Sequence, residues 1–324
     1  MVSTNNVPKL FRSKRSIQFR NWIDFAVIIM LVFIGIAIYT MITRYFKWKS
    51  EQVQDELRQI EGFVQEEKTN IGIVSMIKQP KNLDTWLQKH RAIGIRHFYI
   101  RLEDTPELLD FLHDQSDVTL HVGKGTGVNE YTEIQKRQNA WVDDALKLAE
   151  NDNMGVEWLI HIDGDELLEG DLHQIQDFPD SVRTFWMQNV EARYERVPEK
   201  EDNCFSAKCF INCAEHPDKC VSYGNGKGGG RVATDVSANG PHRFKSSKSD
   251  SDENIDGIVV QHYESCDFEQ YKQKFQRLSV QDNKKGGGDE TPFSYYNESI
   301  AAAKKGVHEL KEIYTKYRIG CPEN

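Results

Sequence analysis

Apolar residues follow three different patterns along this chain. Residues 25–42 read FAVIIMLVFIGIAIYTMI, an unbroken run without a charge. At about 1.5 Å per helical residue the run spans about 27 Å, close to the hydrocarbon thickness of a bilayer. Trp22 precedes it, and Tyr39, Tyr45, Phe46 and Trp48 sit toward its other end, as suits rings at a membrane interface. The run is longer than the apolar core of a secretory signal, and no small-x-small cleavage site follows. It therefore predicts an uncleaved transmembrane signal anchor. Residues 48–70 are polar and acidic, with Val53, Leu57, Ile60 and Val64 spaced by four, three and four. Two such heptads predict a solvated helical spacer, with a homodimerising stem as the alternative.

The third pattern begins at Ile71. IGIVSMI (71–77) is a continuous apolar run rich in β-branched residues and predicts a buried strand. Leu83, Trp86, Leu87, His90 and Ile93 share one helical face, and Gly94 ends that helix. HFYIRL (97–102), VTLHV (118–122) and WLIHI (158–162) predict further strands. A short helix over 106–113 and a longer one carrying Ile134, Trp141, Ala145 and Leu148 on one face fall between them. Strands alternating with helices predict an α/β fold with a mostly parallel sheet, in which ligands sit outside the carboxyl ends of the strands. Beyond residue 180 the alternation fades. Residues 182–188 and 257–263 predict strands, YGNGKGGGR (223–231) and residues 284–288 predict loops, and residues 268–281 and 298–317 predict two closing helices. KSSKSDSDENID (245–256) has a disorder-like composition.

Composition and charge narrow the class. The chain has 324 residues, 39% hydrophobic and 28% charged, which excludes collagen-like, wholly disordered and multi-span proteins. Its net charge of −9 argues against general nucleic-acid binding. The charge is uneven: residues 1–50 hold eight Lys/Arg against Asp24 alone, so the remainder is strongly acidic. The bias across the apolar run is slight. A short N-terminus favours leaving it in the cytoplasm, which predicts a type II arrangement: tail 1–24, anchor 25–42, stem 43–70, and a luminal domain 71–324 in the Golgi or endoplasmic reticulum. All six cysteines (Cys204, Cys209, Cys213, Cys220, Cys266, Cys321) lie beyond the anchor, which suits disulfides in an oxidising lumen better than a zinc site. Asn297-Glu298-Ser299 is the single glycosylation sequon.

The sharpest chemical feature is IHIDGDELL. It places Asp163 and Asp165 just past a buried strand, with Gly164 allowing a tight turn. Carboxylates one residue apart can face the same side of an extended segment. They are hard oxygen ligands suited to Mg²⁺ or Mn²⁺. An Asp/Gly surface turn is the plain alternative. A calcium loop fails because Leu167 and Leu168 occupy the positions where a ligand and a glycine are needed. An aspartyl-phosphate hydrolase with Asp163 as nucleophile and a membrane-tethered glycan-binding protein without catalysis are the rival functions. Lys227 and Arg231, in the glycine-rich stretch, could approach phosphates.

The helix QKRQNAWVDDALKLA followed by EWLIHIDGDELL resembles the nucleotide-sugar half of a GT-A fold glycosyltransferase. Together with DTWLQKHRAIGIRHFYIRLEDT, GNGKGGGRV, GPHRF and VVQHYESCDFEQYKQKF, it is similar to the family 2-like and family 92 group over residues 71–281. That resemblance implies a metal-assisted transfer of a sugar from a UDP- or GDP-sugar to a hydroxyl of a glycan or glycoprotein. It implies metal ligation by Asp163 and Asp165, with His242 or His262 as a further ligand. It also implies nucleotide contacts from Asp104, Arg137 and Asn139. An inverting transfer needs a general base, for which Glu191, Asp235, Asp256 and Glu264 are available, Glu264 being the one singled out.

Overall fold

The alternation of buried and exposed positions builds one large sheet. The computed structural model describes residues 27, 29–31, 33–36, 38–49, 70–125, 131–199, 202–217, 219–221, 223–248, 252–280 and 293–321. The chain divides into two compact units, Met1–Glu67 and Lys68–Asn324. In the first, Ile29–Lys49 is a helix long and apolar enough to cross a membrane by length and composition, a criterion that a signal sequence also meets. Residues 43–49 of the expected stem continue this helix, and 50–69 lie outside the described residues.

The second unit begins with four strands: β1 (Ile71–Ile77), β2 (His97–Glu103), β3 (Val118–Gly123) and β4 (Trp158–His161). They run parallel in the order β3-β2-β1-β4. Helix α1 (Leu83–Ala92) is the crossover from β1 to β2. A short 3₁₀ turn and α2 (Leu109–His113) lead to β3, and α3 (Tyr131–Asn151) leads to β4. Period-two alternation decides which face each residue meets. Ile73, Phe98, Ile100, Trp158 and Ile160 pack with Trp86 and Leu87 of α1. Val74, Tyr99 and Leu159 pack with Trp141, Val142 and Ala145 of α3. Leu148, expected on that helical face, is exposed; Leu146 and Ala149 complete the buried stripe instead.

The remaining strands correct the expectation of a mostly parallel sheet. They are β5 (Glu166–Gly170), β6 (Thr184–Arg193), β7 (Cys209–Asn212), β8 (Lys227–Arg231), β9 (Val236–Ala238), β10 (Phe244–Ser246) and β11 (Asp252–His262). β8 enters between β4 and β6 antiparallel to both, β11 lies parallel to β6, and β5 is antiparallel to β11. β7 pairs with β6 antiparallel, and β9 and β10 form a separate pair. The sheet is therefore mixed.

The glycine stretch expected as a loop is thus a central strand. A Cβ at Gly229 would collide with the Phe185 ring, and one at Gly230 would lie 2.5 Å from Phe244 Cδ1. Only side-chain-free residues allow these rings to cover the strand. The polar segment 245–256 likewise contributes the end of β10 and the start of β11, while 249–251 and the expected loop at 284–288 lie outside the described residues.

Helices α4 (Phe268–Val280), α5 (Ser294–Lys305) and α6 (Val307–Arg318) close the unit around Tyr271, Phe275, Tyr295 and Tyr314. The single helix expected over 298–317 is broken at Gly306, whose φ is +154°. Ser299 of the sequon is buried on the inner face of α5, where its Oγ accepts from Tyr271 OH at 2.7 Å. The cysteines pair as Cys204–Cys266, Cys209–Cys321 and Cys213–Cys220.

Candidate active site

A cavity of about 360 Å³ opens at the carboxyl ends of β1, β2 and β4, with α4 forming another wall. Asp163, Gly164 and Asp165 form part of its lining. The turn follows β4 directly. Glu166 N–H donates to Asp163 O (3.1 Å), and Asp163 N–H donates to Glu166 Oε2 (2.7 Å). A Cβ on Gly164 would lie 2.8 Å from Ile77 Cγ2, so close packing against β1 is what demands glycine here. Tyr263 N–H donates to Asp165 O at 2.8 Å, which fastens the turn to the end of β11.

The two aspartates have different surroundings. Asp163 accepts from Lys227 Nζ at 2.6 Å and from Gln138 Nε2 at 2.9 Å. Burial opposes its charge, but the Lys227 ammonium, its hydrogen bond and the neighbouring His161 and His242 together hold its carboxyl well below the usual range. Lys227 is fully buried, with Glu166 Oε2 3.2 Å away on its other side. Burial disfavours its charge too, yet Asp163 and Glu166 raise its pKa above the ordinary lysine value. Burial pushes Glu166 up to about 7 against the pull of Lys227, and the Tyr223 hydroxyl donates to it.

Asp165 instead faces His262 and Glu264. Ligand atoms of these three residues lie within 4.8 Å of one another. His262 Nε2 is 3.8 Å from Asp165 Oδ2 and 3.9 Å from Glu264 Oε2. Loss of hydration raises the Asp165 carboxyl; His262 opposes this and Glu264 reinforces it. Burial works against a charged His262, but Glu191, 2.8 Å from Nδ1, lifts it to about 10. Burial would raise Glu264 as well, yet Lys274 at 2.6 Å and then His262 bring it down to about 2. An Asp/Glu/His set of this kind is chemically suited to Mn²⁺ and, less well because of the imidazole, to Mg²⁺.

The other residues singled out from the sequence are distributed as follows. His242 lies outside the Asp165–His262–Glu264 group. Its Nδ1 is 2.9 Å from Gly226 O, its ring centroid is 4.1 Å from that of Tyr223, and burial with the Lys227 charge lowers its pKa to about 3. Arg137 lines the cavity and forks onto Glu103, with Nε–Oε1 3.0 Å and Nη2–Oε2 3.1 Å. Asn139 falls outside the lining; two residues along a helix turn the side chain about 200° away. Asp104 adopts φ +46° beside the cavity and accepts from Lys78 Nζ (2.7 Å) and Gly125 N–H (3.2 Å). These bonds, Lys78 first, hold its carboxyl below its usual value.

Lys227 and Arg231 occupy opposite ends of β8. Because β8 runs antiparallel to β4, Lys227 reaches Asp163 while Arg231 pairs with Trp158 at the start of β4. There its guanidinium lies 4.5 Å over the Trp158 ring and Nε donates to Val182 O. Of the four acids available as a general base, Glu264 is the one among the described residues that lines the cavity. With Lys274 and Ser265 both donating to Oε1, its ionised carboxylate is better suited to holding a cation than to taking a proton at neutral pH.

Sequence reasoning named none of Glu103, Gln138, Glu166 and Lys274 as site residues, and considered Glu191 only as a base. One signal for Glu191 was legible. Phe185, Met187, Asn189 and Glu191 alternate inward along β6, so an acid fell in a row of buried positions.

No family model matches the chain. It is similar to two Arabidopsis thaliana proteins named glycosyltransferase-like. One is 22% identical over 247 residues, covering 62% of this chain and 54% of the relative. The other is 22% identical over 225 residues, covering 55% and 43%. The chain thus spans about half the length of the curated relatives it matches. Among solved structures, HddC from Yersinia pseudotuberculosis complexed with GMP-PN aligns at 12% identity and a TM-score of 0.28, over 59% of this chain and 88% of that one. Rv0371c from Mycobacterium tuberculosis in complex with manganese aligns at 12% identity and a TM-score of 0.26, over 38% and 66%. Scores this low carry no argument about fold or site.

Proposed function

We propose that this chain is a metal-assisted glycosyltransferase of the GT-A type. It moves a sugar from a UDP- or GDP-sugar to a hydroxyl of a glycan or glycoprotein. The observation that carries the reading is the convergence of Asp165, His262 and Glu264 within 4.8 Å of one another, with Asp165 and Glu264 on the wall of a cavity at the strand carboxyl ends. The names of the two Arabidopsis relatives agree with it. Asp165 and His262 would hold a divalent cation, with Glu264 beside them. A bound cation of this kind supplies Lewis-acid stabilisation to a departing diphosphate. The chain's own contribution is positional. Lys227 and Gln138 fix Asp163, Lys274 fixes Glu264, and Glu103 holds the Arg137 guanidinium at the cavity wall. The cations Lys78, Lys81 and Arg277 in the lining suit an anionic donor. In this reading the helix Ile29–Lys49 anchors a luminal catalytic domain in the Golgi or endoplasmic reticulum, and the three disulfides belong to an oxidising compartment.

Donor turnover tests the proposal. The full chain in detergent is incubated with a panel of UDP- and GDP-sugars, with and without Mn²⁺, and free nucleotide is quantified. The expected result is metal-dependent release from one donor, abolished by Asp165→Ala. Absence of both turnover and metal-dependent binding of UDP or GDP would overturn it and favour a non-catalytic binding protein.

A further inference from the structure

Three neighbouring strands place Glu166, His262 and Glu191 in one lateral row. In the ladder His262 of β11 stands opposite Glu166 of β5 and beside Glu191 of β6. Residues in register on adjacent strands project to the same face of a sheet. His262 and Glu191 therefore meet by construction, and Nδ1 lies 2.8 Å from Glu191 Oε1. A carboxylate only accepts hydrogen bonds, so this contact places a proton on Nδ1 and turns Nε2 toward Asp165 and Glu264. Both partners are buried, Glu191 completely.

Glu191 is itself held from a distant part of the chain. Arg318, the last residue of α6, is fully buried and brings Nη1 within 3.4 Å of Glu191 Oε2. Its guanidinium lies 5.5 Å from the centre of the Tyr194 ring, and its carbonyl accepts from Tyr194 N–H at 2.9 Å. The end of α6 is thereby fixed to β6, the strand that carries Glu191. A buried carboxylate needs such a partner, and its other oxygen, Oε1, is the one that meets the imidazole.

We infer that Glu191, steadied by Arg318, is a positioning residue of the cation site: it locks His262 with Nδ1 protonated so that Nε2 is the ligand. The inference rests on the proposed metal site. A carboxylate behind a ligating histidine fixes its tautomer and orientation, and its loss typically weakens metal affinity by about 10- to 100-fold.

The test compares Mn²⁺ binding to the full chain in detergent, by calorimetry, for wild type and Glu191→Gln. Wild type is measured first. If it binds no Mn²⁺, the site reading and this inference fall together. If it binds, Glu191→Gln, measured at a temperature where circular dichroism shows it folded, is expected to bind about 10- to 100-fold more weakly, and to melt earlier because Arg318 loses its buried counter-charge. Equal affinity in a folded variant would overturn the inference and leave the metal site standing. Should Glu191→Gln not fold, nitrogen-15 imidazole spectra of the wild type loaded with Cd²⁺ decide. His262 protonated at Nδ1 and bound through Nε2 supports the inference, and the opposite tautomer overturns it.

Discussion

At the scale of single residues, the buried polar groups are held in defined protonation states by their hydrogen-bond partners. His90 illustrates this away from the cavity. Its Nδ1 lies 2.8 Å from Trp86 O and its Nε2 accepts from Leu168 N–H at 3.1 Å. The ring is therefore neutral, protonated at Nδ1, and links α1 to β5. Burial, aided by Lys89 and opposed by the Trp86 carbonyl, lowers its pKa from 6.5 to about 3. The sign follows from linkage. A group depressed on folding contributes stability that is fully present above pH 6.5 and is lost as pH falls toward 3. At about 1.4 kcal/mol per pH unit, wild type loses about 2 kcal/mol through His90 between pH 6.5 and 5. Urea denaturation across that range is expected to show a correspondingly shallower fall in His90→Gln. Parallel curves would contradict the assignment.

At the scale of elements, β8 is the least intuitive part of the fold. Three glycines carry no side chain to pack, yet Gly228, Gly229 and Gly230 lie fully buried between β4 and β6. The surrounding elements supply the bulk: Phe185 covers Gly229, and Phe244 and Val236 cover Gly230. Gly229→Val would drive a branched side chain into the Phe185 ring. Overpacking of a tight core costs about 1–3 kcal/mol and sometimes more, to which strand distortion adds here. A lowered urea midpoint for Gly229→Val is the expected outcome, and partial recovery in a Gly229→Val/Phe185→Ala double variant would identify the ring as the obstacle. The elements that sequence patterning recovered were those with strong local signals. β1 is a continuous apolar run, β2 carries Phe98, Tyr99 and Ile100 in succession, and α1 is an amphipathic helical sequence closed by Gly94 at φ +106°. β8 gave no such signal, because its strand partners β4 and β6 lie forty or more positions earlier in the chain, and the rings and methyls that cover its glycines come from other elements.

At the scale of the molecule, disulfides and the C-terminal helices secure what the sheet leaves loose. Cys209–Cys321 closes a separation of 112 residues and ties the end of the chain to β7. That bridge secures the chain just beyond Arg318 and hence its contact with Glu191. Loss of a bridge over so long a loop costs about 2–4 kcal/mol. The Cys209→Ser/Cys321→Ser double variant is expected to melt earlier by calorimetry, and a melting temperature unchanged from wild type would show that α6 is held by packing alone. Cys204–Cys266 acts nearer the site, since both cysteines line the cavity and Cys266 follows Glu264 by two residues.

Some properties of this protein were decided by the sequence alone. The apolar run near the N-terminus, the strand-helix alternation over 71–162 and the Asp-Gly-Asp turn after a buried strand all depend on neighbours a few positions apart, so local periodicity reveals them. Only the tertiary structure decided that β8 is a strand, that the sheet is mixed, how the six cysteines pair, and that His262 rather than His242 joins Asp165 and Glu264. It also divided the two aspartates between a buried lysine and a candidate cation site. Apart from the seven-residue Cys213–Cys220 bridge, these outcomes depend on strand register and on contacts between residues tens to more than a hundred positions apart, and no local pattern encodes which distant strand will lie alongside.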